Sequence, residues 1–308
     1  MTKTHSAITR PSTVDLALLG LAVAAVSTSA PLVRLAAAPT LAVAFWRNAL
    51  SLPVVGSIVI ASRRPEVARL TGRELRLSVV AGLFLALHFA AWVPSLSYTS
   101  VASSVALVST MPVWSAVLSR VRGDHIPGRV WAGIAVAMAG VLLLTGVDVS
   151  LSVEALFGDG LALAGGALAA AYVHVGAEVR QTLSTSVYAS LCYAVAATVL
   201  LAVCLLARQE LVVYPAGTWL VLAGITIGPQ LLGHTVVNRV LRTTGPTVVS
   251  LMILLEILGS TFLAWIMFDE APAPLAYPAA ALIVVGVLVV VRTGREPEAA
   301  PAAPLAAD

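Results

Sequence analysis

The stretch RLSVVAGLFLALHFAAWVPSLS, residues 76–97, decides the fold of this chain. It carries one charge, at its first position, and then enough apolar residues to cross a bilayer core as a helix, which takes about 20. Within it lie Gly82, Leu85 and His88, and 146 residues later the chain repeats them as Gly228, Leu231 and His234. The same ungapped offset carries Gly20, Ala24, Ala25 and Arg34 onto Gly166, Ala170, Ala171 and Arg180. It also carries Ser104 onto Ser250, and Gly140-Val141-Leu142 onto Gly286-Val287-Leu288. One offset that holds from the first apolar segment to the last marks a duplicated unit.

Outward from residues 76–97, apolar segments of similar length fall near 14–36, 40–61, 101–121 and 128–147. A second set falls near 158–177, 186–207, 217–240, 245–268 and 274–292. Short connections join them, so chain neighbours are expected to pack antiparallel. The expected fold is all-α and integral to the membrane: ten transmembrane helices as two inverted five-helix repeats, residues 14–147 and 158–292. A cytoplasmic segment, 1–13, precedes them. The tail, 293–308, is Pro/Ala-rich with acids, a composition expected to be disordered.

Composition agrees. Of 308 residues 59% are hydrophobic and 11% charged, and the mean hydropathy is +0.96. Average soluble domains carry about 25% charged residues, so too little polar surface remains here to cover a soluble globule. The long continuous runs exclude a membrane barrel, whose strands alternate over about 10 residues. Lys3 is the only lysine among 18 basic residues. A nucleotide-binding P-loop needs a lysine after its glycines, so this chain is not by itself an ATP-driven pump. Cys192 and Cys204 lie 12 residues apart in one apolar segment, ~18 Å along a helix, too far to bridge. Cysteine–histidine metal spacings and H-E-x-x-H are absent. No metal and no cofactor are expected.

The first segment imitates a secretory signal, with Lys3 and Arg10 ahead of an apolar run that ends in Ser27-Thr28-Ser29-Ala30. Pro31 directly after the apparent cleavage site, and the counterpart of this segment in the second repeat, argue for retention. Orientation follows from basic residues in short loops. With the N-terminus in the cytoplasm, Arg63, Arg64, Arg69, Arg73, Arg76, Arg120, Arg122 and Arg129 fall inside. Arg180, Arg239, Arg242, Arg292 and Arg295 join them, and only Arg34 and Arg208 fall outside. The outer loops are expected to carry Asp148, Glu154, Asp159, Asp269 and Glu270. The expected location is the inner membrane, multi-pass, with both termini cytoplasmic. Five spans per repeat then force the second repeat to run inverted, an arrangement transporters use to open to either side.

Several short motifs, in order, resemble the EamA-type family of the drug/metabolite transporter superfamily. They are Phe45-Trp46-Arg47-Asn48-Ala49-Leu50, Tyr98-Thr99-Ser100-Val101-Ala102-Ser103, Met111-Pro112 with Gly123-Asp124, and Gly140-Val141-Leu142-Leu143. In the second half, Glu256 and Asp269-Glu270 stand where the family usually shows a Glu-Pro pair and a terminal acid. Glu256 is followed here by Ile257 instead of proline, and the 146-residue offset sets it against Thr110, so its match to Met111-Pro112 needs a small adjustment. The resemblance implies a ten-helix exporter of small metabolites, amino acids or drugs working by alternating access, and leaves the substrate unassigned.

Ionisable groups inside a membrane are costly, about 2.5–3.5 kcal/mol at a helix centre on insertion scales, and mark candidate sites. Arg47 in the second segment either snorkels outward or binds an anion or substrate carboxylate. His88 and His234 stand at repeat-equivalent midspan positions, with Trp92 and Asn238 four residues beyond them on the same helix faces. These four either line a pocket for a small amphipathic solute or serve packing. Glu256, eleven residues into the ninth segment, is the candidate coupling residue, as a titrating carrier or a neutral hydrogen-bond donor. His174 and Glu178, spaced i,i+4, read as an interfacial pair, and Trp219 and Trp265 as interface belts. Gly133, Ala137 and Gly140 read as a close-packing face.

The rival class is an intramembrane hydrolase using Ser103 or Ser104 with a histidine. It is disfavoured because no G-x-S-x-G surrounds either serine. A sensor would need a soluble signalling domain that no segment is long enough to form. The expected partners are a small-molecule substrate and the lipid bilayer, with no nucleic acid; proton coupling and a homodimer stay open.

Overall fold

The computed structural model describes residues 11–99, 101–145, 152–269 and 271–293. Lys3, Asp148, Glu270, Arg295 and nearly all of the expected tail lie outside the described residues. Among those described, every regular element is helical. Nine helices are long and apolar enough to cross a bilayer. They are Thr13–Leu35 (span 1), Thr40–Ser62 (span 2), Gly72–Ser95 (span 3), Ser103–Val121 (span 4), Val153–Val179 (span 6), Thr185–Leu206 (span 7), Ala216–Val240 (span 8), Pro246–Phe268 (span 9) and Ala276–Thr293 (span 10). The apolar helix Gly128–Thr145, 18 residues long, is span 5 and is within the ~17–25 residues that a spanning helix takes.

Local chemistry sets the helix starts. Ser12 with Asp15, and Thr71 with Glu74, form reciprocal capping boxes at spans 1 and 3. Ser152 caps span 6 through the Ala155 N–H, so that helix begins at Val153, five residues earlier than its apolar run suggested. Glu154 and Asp159, expected in an outer loop, are therefore in the first turns of the span. An acid there is favoured by the helix dipole, and Asp159 also accepts a hydrogen bond from Thr99 at 2.7 Å.

Packing repeats the symmetry implied by the 146-residue offset. Span 3 lies along span 6, and its counterpart, span 8, lies along span 1. Spans 4 and 6 touch as spans 9 and 1 do, while spans 2 and 7, 4 and 9, and 5 and 10 pair across the two halves. The 5–10 pair is close because Gly133, Gly140 and Gly286 lie in it: a Cβ on Gly286 would stand 2.4 Å from the Gly133 carbonyl oxygen. Lipid offers no hydrophobic drive between helices, so such close backbone approach supplies the attraction. The segment after Ser27 stays in the bundle, with Pro31 and Val33 buried.

One end of the bundle gathers the arginine-rich connections. There Glu178 pairs with Arg73 and with Arg122, the latter at 2.8 Å, and Glu66 accepts from the Ser184 N–H at 2.6 Å. Glu178 does not pair with His174, contrary to the i,i+4 expectation. His174 is buried and meets the Ser115 hydroxyl at 2.9 Å. At the opposite end Trp219 packs on Trp46 and Tyr214, whereas Trp265 is exposed as a belt residue would be.

Candidate functional site

Midway along the bundle a cavity of about 70 Å³ is enclosed by residues of spans 1, 2, 3, 4, 6, 8 and 9. Both repeats contribute, and spans 5, 7 and 10 do not line it. A second cavity of about 370 Å³ lies toward the end opposite the arginine-rich connections, lined by Ala30, Arg34, Val105, Ile257, Ser260 and Phe268 among others.

Arg47 is the fixed cation of the midspan cavity. It is 1% exposed and does not snorkel. Its Nε donates to Gln230 Oε1 at 2.8 Å and its Nη1 to Ser29 Oγ at 3.3 Å. The guanidinium carbon stands 4.2 Å from the centroid of the Phe89 ring, a cation–π contact worth about 2 kcal/mol when desolvated. Gln230 also donates to Asn48 Oδ1, which locks the carboxamide that holds Arg47. Nη2 has no hydrogen-bond partner. A buried charged donor left unmet costs ~1–3 kcal/mol or more, and here it belongs to a residue that lines the cavity.

The histidines converge on the same space. His88 meets the Gly165 carbonyl through Nδ1 at 2.9 Å, which assigns the proton to Nδ1 and leaves Nε2 as an acceptor. Its ring stacks on Trp92 at 5.9 Å with planes 10° apart. Gly165 is what lets spans 3 and 6 approach so closely, since a Cβ there would lie 3.0 Å from Trp92 Cβ. His234 faces Phe89 edge-on at 5.4 Å. It ends a π-helical stretch, Thr226–His234, that contains Pro229; such widened turns arise where the α-ladder is interrupted and recur at functional sites. Gly233 in this stretch admits Val26 of span 1, whose Cγ1 would be 2.5 Å from an added Cβ.

Asn238 is the one expected site residue that the cavity does not include. It is fully buried behind Tyr172, exchanging hydrogen bonds with the Tyr172 hydroxyl at 2.6 and 2.8 Å. Tyr172 lines the cavity in its place. A helix face shared with His234 fixes only direction along the helix; the side chain bulk of Tyr172 decides which group reaches the wall.

Glu256 and Arg47 face the cavity together without forming an ion pair, close enough for their charges to act on each other. Glu256 opens the half-helix Glu256–Phe268 after a break at Leu254-Leu255. Span 4 breaks at Ser109-Thr110, within one residue of the repeat-equivalent place, before its half-helix Met111–Val121. Pro112 and the Trp114-to-Thr110 hydrogen bond of 3.1 Å stabilise that second start. The two half-helices thus start at the cavity wall from opposite directions, each joined to the segment before it by a tightened, still hydrogen-bonded turn.

Gln230, Phe89, Ser29 and Tyr172 escaped the sequence reading. Only Tyr172 left a signal, because it is the repeat counterpart of Val26, which lines the same cavity. A model of the EamA-like transporter family matches this chain twice, over residues 13–146 and 156–292. The chain belongs to the EamA-like transporter family. An uncharacterized transporter of Archaeoglobus fulgidus is 32% identical to it over 138 residues, 44% of this chain; the chain spans about half the length of that relative, 47%. A solved crystal structure of a protein superimposes on this EamA-like chain with a TM-score of 0.75 at 19% identity, over 91% of this chain and 97% of the other. That likeness is one of fold. The chain is thus a multi-pass membrane protein of a transporter family, and that family points away from an enzyme.

Proposed function

We propose that this transporter is a secondary exporter of small metabolites, amino acids or drugs across the inner membrane, and that it works by alternating access. The observation that carries this reading is the midspan cavity, shared by both repeats, with a free Arg47 donor and the Glu256 carboxyl on its wall. At about 70 Å³ it holds a few waters, less than the ~300 Å³ of an ordinary ligand pocket. A solute is accommodated when one repeat rocks against the other. The larger cavity of about 370 Å³ would give it a route toward one end, while the Glu178 pairs join elements at the other. The free donor of Arg47 favours a solute bearing a carboxylate, and Glu256 supplies a proton-titrating group for coupling to the pH gradient.

Counterflow in proteoliposomes, screened over amino acids, short organic acids and cationic drugs, tests the reading. Saturable exchange of at least one solute is expected; a folded, correctly inserted protein that exchanges none would overturn it. In the same preparation, Trp92→Ala removes the plate stacked on His88, an aromatic pair worth about 0.5–1.5 kcal/mol, and is expected to weaken half-saturation roughly three- to tenfold. Unchanged half-saturation would make Trp92 a packing residue.

The arginine-rich end is assigned to the cytoplasm on the loop-charge rule. Single cysteines replacing Arg69 and Gly123 are expected to react with an impermeant maleimide only from the cytoplasmic side, and those replacing Glu154 and Glu210 only from outside. The reverse pattern would invert the assignment and, with it, the direction of the route above.

A further inference from the structure

Arg34 and Arg180 are repeat counterparts, 146 residues apart, in opposite circumstances. Arg34 is exposed and lines the larger cavity, its guanidinium carbon 4.3 Å from the Phe268 ring centroid. Arg180 is 1% exposed at the arginine-rich end. Its Nε donates to the Asn238 carbonyl at 2.9 Å, and its Nη1 has no partner. Arg242 and Arg239 lie close enough to repel it, and Glu66 close enough to attract it. Among the described residues no ion pair is formed at Arg180 to offset burial, which costs several kcal/mol for a lone charge.

Other wall residues behave likewise. Val105 and Leu144 line the larger cavity and are half-buried, whereas their counterparts Leu251 and Val290 are fully buried. The image of the open cavity is thus present at the arginine-rich end as a closed seam, held by Glu178 and by the Ser115, Ser119 and Thr247 hydroxyls between spans 4 and 9. In a protein of two inverted repeats, exchanging the conformations of the halves turns each residue's surroundings into its counterpart's.

We propose that Arg180 is the anion-reading cation at the mouth of a second vestibule, closed in this structure, which opens at the arginine-rich end and takes the carboxylate of an incoming solute. This rests on the alternating-access reading above. Arg34 performs the same office at the other mouth, so each solute meets an arginine on entry and on exit, with Arg47 between them.

The test needs no known substrate. In a background with Cys192 and Cys204 replaced by alanine, Leu251→Cys places a thiol in the seam, and Val105→Cys one in the open cavity. Each is labelled in membrane vesicles of defined sidedness with an anionic and with a cationic methanethiosulfonate reagent of similar size. Leu251→Cys is expected to react only from the arginine-rich end, with an anion preference of roughly tenfold. Arg180→Gln should reduce that preference to twofold or less while leaving Val105→Cys labelling unchanged, which also reports that the variant is folded. An anion preference that survives Arg180→Gln overturns the role of Arg180 and leaves alternating access standing. A Leu251→Cys that never reacts from that end, while Val105→Cys reacts from the other, overturns both.

Discussion

Glu256→Gln is expected to abolish pH-gradient-driven solute accumulation while leaving solute–solute exchange in place. The carboxyl opens a half-helix at the cavity wall, beside but unpaired with Arg47. A group in that position meets water from whichever side the cavity opens to, and its proton affinity depends on whether Arg47 is engaged by solute. Glutamine keeps the shape and a carbonyl acceptor but carries no proton to exchange. One pH unit is worth about 1.4 kcal/mol per proton, so one-for-one exchange supports a roughly tenfold solute ratio across the membrane. Proteoliposomes with an imposed gradient should show that ratio fall to about one in the variant. Undiminished accumulation would leave Glu256 as a structural residue and move coupling elsewhere.

Arg47→Met is expected to have the second-largest effect, on solute affinity. The free Nη2 donor and the guanidinium charge are the strongest fixed attraction for a carboxylate on the cavity wall. A hydrogen bond to a charged group contributes about 1.5–3 kcal/mol, which corresponds to a roughly 10–150-fold rise in the half-saturating concentration during counterflow. Methionine approximates the length of the stem and avoids a new polar group, though it leaves Gln230 Oε1 short of a donor. Arg47→Lys separates charge from geometry: it keeps the cation and loses the planar fork held by Gln230 and Ser29, so an intermediate affinity is expected. Thermal unfolding in detergent checks that both variants retain the bundle. Wild-type affinity in Arg47→Met would assign the arginine to packing on Phe89.

The placement of Arg47 could be read only in part from the chain. A lone arginine in an apolar segment is visible in the sequence, but snorkelling and inward pointing look identical there. The choice depends on Gln230, 183 residues away, and on Phe89. Asn238 shows the same limit from the other side: the helix period puts it on the face of His234, and the structure sets it behind Tyr172 of span 6, with whose hydroxyl it exchanges hydrogen bonds.

By itself, the sequence determined the class, the ten apolar segments, the duplication and the inverted relation of the halves. Those follow from quantities local to the chain: about 20 apolar residues per bilayer crossing, an odd number of crossings per repeat, and one constant offset. The tertiary structure decided what locality cannot. It set which of two equivalent arginines is exposed and which is buried, where spans 4 and 9 break, and which side chains of seven helices share one cavity. Membrane helices are steered against one another by close packing and a few polar contacts. Those contacts join residues far apart in the chain, so a single sequence lists the participants without pairing them.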